Sequence, residues 1–317
     1  MKVLVIGGSG FIGTRLLDLL CQIPDLEVLN YDKVLSASYP KISIVGDIRD
    51  LDSLTKACSG IDVIYNLAAE HADNVLPLSL YNDVNVIGAK NVVDAAISNN
   101  VGKIIFTSTV AIYGLNRGTP NESFEPQPFN EYGFSKFRAE KVLNHWCSEN
   151  SSRSLVTVRP AVVFGENNRG NVYNLIKQIV TGRFIMIGNG NNLKSMSYVG
   201  NVAAFLAKQL EVGAGHYVYN YADKDDLCSA QIVSIVRNEM NLGPSKLRIP
   251  YAIGLVGGYA FDILSKVTGK KYPISSVRIR KFCSDTTVDS STAMSSGFAP
   301  PYSLEDGLRR MINHEFK

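Results

Sequence analysis

A short, β-branched apolar run, Lys2 to Ile6, ends in Gly7-Gly8-Ser9-Gly10-Phe11-Ile12-Gly13, and apolar residues then recur at helical spacing from Phe11 to Cys21. Few folds place glycines at three-residue intervals between a strand and a helix. Gly7 permits a tight turn, Gly10 lets an anion approach the amides at the helix N-terminus, and Gly13 lets the helix close on the strand. A second strand pattern, Leu26 to Tyr31, leads into Asp32, 19 residues after Gly13. A carboxylate there accepts hydrogen bonds from ribose hydroxyls and repels a 2′-phosphate. The loop Gly7, Gly10, Phe11, Ile12, Gly13 with Asp32 therefore predicts a dinucleotide site that favours NAD; Lys33 softens the repulsion and keeps NADP as the lesser alternative. Asp47 and Ile48 close a third strand pattern, where the adenine edge is expected to pass.

The rhythm continues. Ile42 to Val45, Val63 to Leu67, Lys103 to Thr107 and Leu155 to Val158 read as strands; Leu51 to Cys58, Leu80 to Ser98 and Glu131 to Trp146 read as helices. Alternation of this kind predicts a parallel sheet with helices on both faces. After Arg159 the pattern is less regular: Asn171 to Thr181, Val202 to Leu210, Ser229 to Met240 and Leu304 to His314 are helical, His216 to Tyr221 is a strand, and Thr268 to Pro273 is a loop. The expected division is a core over residues 1–165, rejoined by segments about 195–225, and a second region over 166–317 that caps it.

Composition excludes several classes. A net charge of +3 on 317 residues gives no basic footprint for nucleic acid. Five scattered cysteines without a Cys-x-x-Cys pair, and four histidines without ligand spacing, argue against a metal or disulfide framework and fit a reducing, cytoplasmic compartment. No signal peptide is visible and no integral membrane segment is expected. The longest uncharged apolar stretch, Tyr251 to Phe261, is about half a membrane span. It reads as a buried helix, with a membrane-surface contact as the second reading.

Chemistry enters at Tyr132-Gly133-Phe134-Ser135-Lys136. On a helix, Tyr132 and Lys136 share a face. A free phenol is a poor base at neutral pH, but a nearby ammonium favours phenolate, so Lys136 is expected to pull Tyr132 down. Tyr132 then exchanges a hydroxyl proton while hydride moves to or from the cofactor. Strand five runs into Thr107-Ser108-Thr109-Val110-Ala111-Ile112-Tyr113-Gly114 at a carboxyl end, where parallel sheets bind ligands. Thr109 is the candidate to hold the substrate oxygen beside Tyr132; Ser108 is the runner-up.

With these residues in view, the chain resembles the extended short-chain dehydrogenase/reductase superfamily and, more narrowly, the NAD-dependent epimerase/dehydratase family of nucleotide-sugar enzymes. The resemblance covers nearly the whole chain and also rests on Asn66-Leu67-Ala68-Ala69, Asn85-x-x-Gly88, Arg159-Pro160, Tyr198-Val199 and Gly297-Phe298. It implies an α/β, Rossmann-like doubly wound sheet with a small C-terminal α/β substrate cap. It implies Thr109, Tyr132 and Lys136 as the catalytic trio, with Lys136 also on the nicotinamide ribose. Leu67, Ala68 and Ala69 would line the cofactor, Pro160 would approach the nicotinamide, and Asn85 would be a polar support or simply an interior hydrogen bond.

Two departures narrow the chemistry. Dehydratases of this family carry Asp and Glu after the catalytic Thr, whereas Val110 and Ala111 have no carboxyl group, so loss of water is not expected. Where many members read Arg-Asp and a later Asp, this chain reads Lys194-Ser195-Met196-Ser197-Tyr198-Val199-Gly200-Asn201, which weakens transfer of a galactose-type specificity. On the substrate side, Arg169 and Asn171 at a helix start, and the later Arg278, suit a diphosphate; Glu70 and His71 are candidates to face the sugar. The expectation is an NAD-dependent 4-epimerase of a nucleotide-diphosphate sugar, acting as a homodimer. The alternatives are a 4-keto-sugar reductase using NAD(P)H and a non-catalytic dinucleotide sensor.

Overall fold

β-Branched residues recur in most of the N-terminal strands, and a helix follows most of them, the second and third strands being joined by a short connection instead. In a computed structural model describing residues 1–72, 75–244, 247–269 and 275–317, the strands are β1 Lys2–Ile6, β2 Glu27–Asp32, β3 Ser43–Val45, β4 Val63–Asn66, β5 Lys103–Thr107, β6 Ser154–Pro160, β7 Val162–Phe164, β8 Met186–Ile187, β9 Leu193–Tyr198, β10 Gly215–Tyr221, β11 Asp223–Cys228 and β12 Arg248–Ile249. The helices are α1 Phe11–Leu20, α2 Leu51–Ala57, α3 Ser79–Tyr81, α4 Gly88–Ser98, α5 Glu131–Ser148, α6 Asn171–Val180, α7 Val199–Lys208, α8 Ser229–Glu239, α9 Tyr251–Thr268, α10 Ser276–Cys283, α11 Ser291–Ser295 and α12 Leu304–Phe316.

The chain divides into two compact units. The first comprises Met1–Val163, Ser197–Ala222 and Val288–Tyr302; the second comprises Phe164–Met196, Asp223–Thr287 and Ser303–Lys317. The first unit therefore takes back a late segment, Val288–Tyr302, that the periodicity did not signal. Asn201 holds it: its Nδ2 donates to the Tyr302 carbonyl at 2.8 Å and its Oδ1 accepts the Tyr302 N–H at 3.0 Å.

The first unit is built on a seven-stranded sheet ordered β10-β6-β5-β4-β1-β2-β3, parallel throughout. It is covered on both faces, as a doubly wound sheet requires. Leu4, Ile6, Ile64, Ile104 and Phe106 pack with side chains of α2, α4 and α5, including Leu54, Val92, Leu143 and Trp146. Val3, Val5, Tyr65, Ile105 and Val156 pack with side chains of α1, α7 and α11, including Leu16, Leu20, Phe205, Leu206 and Ala293. The period of two within each strand sorts residues between these layers. Strand order reverses between β1 and β4, and the crevice at their carboxyl ends is the topological switch point.

The long helix expected over Leu80–Ser98 is interrupted by a π-helical turn, Asn82–Ile87, before α4, a distortion frequent at functional positions. In the second unit, β9 and β11 pair antiparallel, from Met196 opposite Asp223 to Leu193 opposite Cys228, and β8 pairs parallel with β12. Tyr251–Phe261 is not the buried helix the sequence suggested. It opens α9, whose buried residues are Gly254 and Gly258, while Tyr251, Ile253, Val256 and Tyr259 are exposed. Of the loop expected over Thr268–Pro273, residues 270–273 lie outside the described residues.

Candidate active site

The turn after β1 is set by packing. Gly7 adopts φ +83°, and a side chain there would come within 2.7 Å of the Ala68 nitrogen, so the glycine loop lies directly against the chain leaving β4. The Leu67 N–H donates to the Ile6 carbonyl at 2.9 Å, which brings Leu67, Ala68 and Ala69 beside the same loop. α1 starts behind Gly10 with no side-chain cap and no acid in its first turn, leaving its N-terminal amides for an anion. The Asp32 carboxylate accepts the Ser9 N–H at 3.0 Å and the Val34 N–H at 3.2 Å, which seats it against the loop, where ribose hydroxyls would meet it. Glycine cradle, uncapped helix end and carboxylate together fit NAD.

Asp47 and Ile48 behave differently from each other. Arg49 grips the Asp47 carboxylate through two bonds, at 2.9 and 2.6 Å, and these hold its pKa below the usual carboxylate range. Ile48 is a core side chain packed against Gly88, and its carbonyl accepts from Asn91 at 2.9 Å.

Asn130 caps α5, accepting the Gly133 N–H at 2.9 Å. A side chain at Gly133 would reach the Ala111 carbonyl at 2.9 Å. That close approach brings the first turn of α5 against the Thr109–Tyr113 turn, where the Thr109 side chain favours ionisation of the Tyr132 phenol. Thr109 Oγ1 accepts the Ala111 N–H at 3.1 Å, which fixes its position at the start of the turn. Lys136, 1% exposed, lies with its ammonium 4.1 Å from the centre of the Phe106 ring.

The electrostatics correct one expectation. Burial pushes the Tyr132 phenol up to about 12, and the Thr109 side chain pulls the other way. Burial also pulls the Lys136 ammonium down to about 7, against the Glu140 carboxylate that favours its charge. Desolvation thus outweighs the expected lowering of Tyr132 by Lys136, and the residues of the chain alone keep the proton on the phenol.

One supporting residue, Asn85, is named from the sequence as a polar support or interior hydrogen bond; Glu140 and Arg159, which follow, are given no role there. Asn85, in the π-helical turn, accepts the Glu70 N–H at 2.8 Å, and its amide donates to the Glu70 carbonyl at 3.0 Å and to Ser135 Oγ at 2.8 Å. It therefore ties the segment after β4 to α5. Behind Lys136, Glu140 holds Arg159 through paired bonds of 3.0 and 2.7 Å, both side chains being buried. Arg159 donates to the Tyr113 hydroxyl at 2.7 Å, which donates to Asn220 at 2.7 Å. The signal was present in part: Glu140 lies four residues beyond Lys136, on the same helix face. At the carboxyl ends of β4 and β5, the buried Asn66 Oδ1, Thr107 Oγ1 and Ser108 Oγ have no hydrogen-bond partner among the described residues, unusual for buried polar atoms. Pro160 is buried at the end of β6.

Of the substrate candidates, Glu70 is half-buried and accepts the His71 N–H at 3.1 Å, and His71 is exposed. Arg169, in the second unit, is paired with Glu315 and lies 4.4 Å from the Tyr173 ring centre. Asn171 opens α6 behind Gly170, with no side-chain cap. Arg278 is exposed on α10. Among the described residues no cluster of His, Cys, Asp or Glu is arranged to hold a metal.

A dinucleotide cradle at the switch point of a doubly wound sheet, with a Thr-Tyr-Lys constellation at the neighbouring strand end, defines an oxidoreductase of the short-chain dehydrogenase/reductase type. The chain belongs to the NAD dependent epimerase/dehydratase family, whose family model matches residues 3–222. It is 52% identical, over 99% of its length and 95% of the relative's, to the N-acetyl-alpha-D-glucosaminyl-diphospho-ditrans,octacis-undecaprenol 4-epimerase of Escherichia coli O157:H7. It is 25% identical to the UDP-glucose 4-epimerase of Vibrio cholerae, covering 98% of this chain and 94% of that one. Among solved structures, the UDP-glucuronic acid 4-epimerase of Bacillus cereus in complex with NAD superposes with a TM-score of 0.78 at 22% identity, over 99% and 98% of the two chains.

Proposed function

We propose that the chain is an NAD-dependent 4-epimerase of a diphosphate-linked N-acetylhexosamine. The observation that carries this reading is the 52% identity, across nearly the full length, to a relative named for that reaction on a polyprenol-linked sugar. NAD, when bound, supplies the hydride acceptor and donor for C4 and, in its oxidised form, a positive charge beside the phenol. Tyr132 removes the C4 hydroxyl proton and later returns it; Thr109 helps to position the substrate oxygen; Lys136, whose charge Glu140 favours, promotes phenolate when charged. Val110 and Ala111 offer no acid or base for elimination, which supports epimerisation over dehydration.

The carrier is proposed to be a polyprenol rather than the nucleotide that the resemblance implied. A nucleotide-linked sugar remains the second reading, favoured by the UDP-sugar epimerases that share the fold. Purified protein without added cofactor is expected to convert a short-chain polyprenyl-diphospho-N-acetylglucosamine to its C4 epimer faster than it converts UDP-N-acetylglucosamine. No epimer on either carrier, with stoichiometric NAD(P)H consumption on a 4-keto sugar, would replace this reading with a reductase. We further propose a cytoplasmic homodimer. Five free cysteines agree with a reducing compartment, and sedimentation velocity reads the oligomeric state.

A further inference from the structure

α9 is inverted relative to an ordinary surface helix. Two of its glycines face inward: a side chain at Gly254 would sit 2.6 Å from Ile187, and one at Gly258 would sit 2.9 Å from the Ser276 backbone. Small residues inside leave the large ones outside. Ile253, Val256, Ile263 and Val267 are 63%, 69%, 64% and 79% exposed, and with Tyr259 between them they recur at the spacing of one helix face. From Ile253 to Val267, at 1.5 Å per residue, this row is roughly 21 Å long. Single exposed apolar residues are ordinary, but a contiguous row marks a binding surface.

Charge says what binds. The adjoining α10 exposes Arg278, Arg280 and Lys281. The Arg280 guanidinium lies 5.5 Å from the Tyr259 ring centre and donates to its hydroxyl, which joins the cations to the apolar row. From Leu247 to Ser284 the sequence holds seven Lys and Arg and a single acid, Asp262. That carboxylate accepts the Ser276 N–H at 3.2 Å, at the start of α10. The segment carries net +6 in a chain of net +3, so the remainder is net negative. Among the described residues no helix is long and apolar enough to cross a membrane. An apolar row flanked by cations of one sign matches the boundary between acyl chains and anionic headgroups. A second copy of this surface would instead bring like charges together.

We infer that the exposed face of α9, with the basic cluster of α10, is a docking surface for an anionic lipid bilayer. The surface would deliver the enzyme to a carrier that is itself apolar, but the binding needs no sugar and is measured without one, so its failure would leave the epimerase proposal standing. The full chain is sedimented with vesicles of phosphatidylcholine alone or mixed with phosphatidylglycerol. Binding is expected on the mixed vesicles, falling about tenfold or more on phosphatidylcholine alone and at high salt. Replacing Ile253, Val256, Ile263 and Val267 together by serine should abolish it while thermal unfolding stays near wild type. Arg278→Glu with Lys281→Glu should remove the preference for anionic lipid. Val256→Trp supplies an independent reading, since the only native tryptophan, Trp146, is buried: its emission should shift to the blue and be quenched by brominated acyl chains. No vesicle binding by the wild type, undiminished binding by the serine variant, an unshifted Val256→Trp spectrum, or a lipid-free dimer that the serine changes dissolve would each overturn the inference.

Discussion

α5 and α9 are both eighteen residues long, and they depart from the usual amphipathic pattern in opposite directions. α5 buries eight residues, among them the polar Ser135, Lys136 and Glu140. α9 buries two glycines and presents aliphatic side chains to the outside. A polar group inside a helix-covered layer is expensive unless it is partnered, and on α5 the partners are present: Arg159 for Glu140, and Asn85 for Ser135. An apolar group left outside forfeits its burial, and on α9 nothing within the second unit recovers it. The first helix buries polar groups at the proposed catalytic site. The second keeps an unburied surface that needs a partner.

The largest effect should come from Tyr132→Phe, which leaves the ring and removes only the proton carrier. Turnover is expected to fall by about 10²–10⁴-fold, with cofactor retained, because that is the usual contribution of general acid–base catalysis. Steady-state kinetics with a titration of NAD checks it; near-normal turnover would break the polar half of the comparison. Next in size, Glu140→Ala leaves Arg159 charged, buried and unpaired, and should cost about 3–5 kcal/mol in urea unfolding. A matched pair then sharpens the contrast. Leu143→Ala on α5 should cost about 2–5 kcal/mol, whereas Val256→Ala on α9 should change stability by less than about 0.5 kcal/mol.

The subtlest effect is a slope. Burial holds Lys136 down at about 7, against an ordinary value of 10.5. Between those values the unfolded chain binds a proton that the folded chain does not, so stability contributed by this site rises with pH across that window. Lys136→Met should remove that part of the slope. Its unfolding midpoint should exceed that of wild type most near pH 7, and the difference should shrink as pH approaches the ordinary lysine range. Lys103, also depressed by burial to about 8, adds a slope of the same sign to both proteins and cancels in the comparison.

These two helices also mark how far the sequence could be read. The strands of the first unit and the Gly7–Gly13 turn were legible because local periodicity and backbone geometry determine them. Thr109 and Tyr132 were nameable because each sits at a recognisable element end. The Glu140–Arg159 pair was not, since nothing local in either segment announces the other across the fold. Arg169 read as a phosphate ligand, and its partner Glu315 lies 146 residues away. The two-residue strands β8 and β12 are too short for any period to register. The exposure of α9 was hidden for a different reason: an apolar run states that a surface avoids water, not which surface will cover it. Gly254 and Gly258, four residues apart on one face, were the clue that this face was the inner one.

The central claim is that the buried Thr109–Tyr132–Lys136 site inverts C4 by oxidation and re-reduction without exchanging the carbon-bound hydrogen with water. The direct measurement is proton NMR of the sugar product after incubation in D₂O with no added cofactor, on polyprenyl-diphospho-N-acetylglucosamine and on UDP-N-acetylglucosamine. The account predicts accumulation of the C4 epimer with protium fully retained at C4. Deuterium at C4 of the epimer would contradict it.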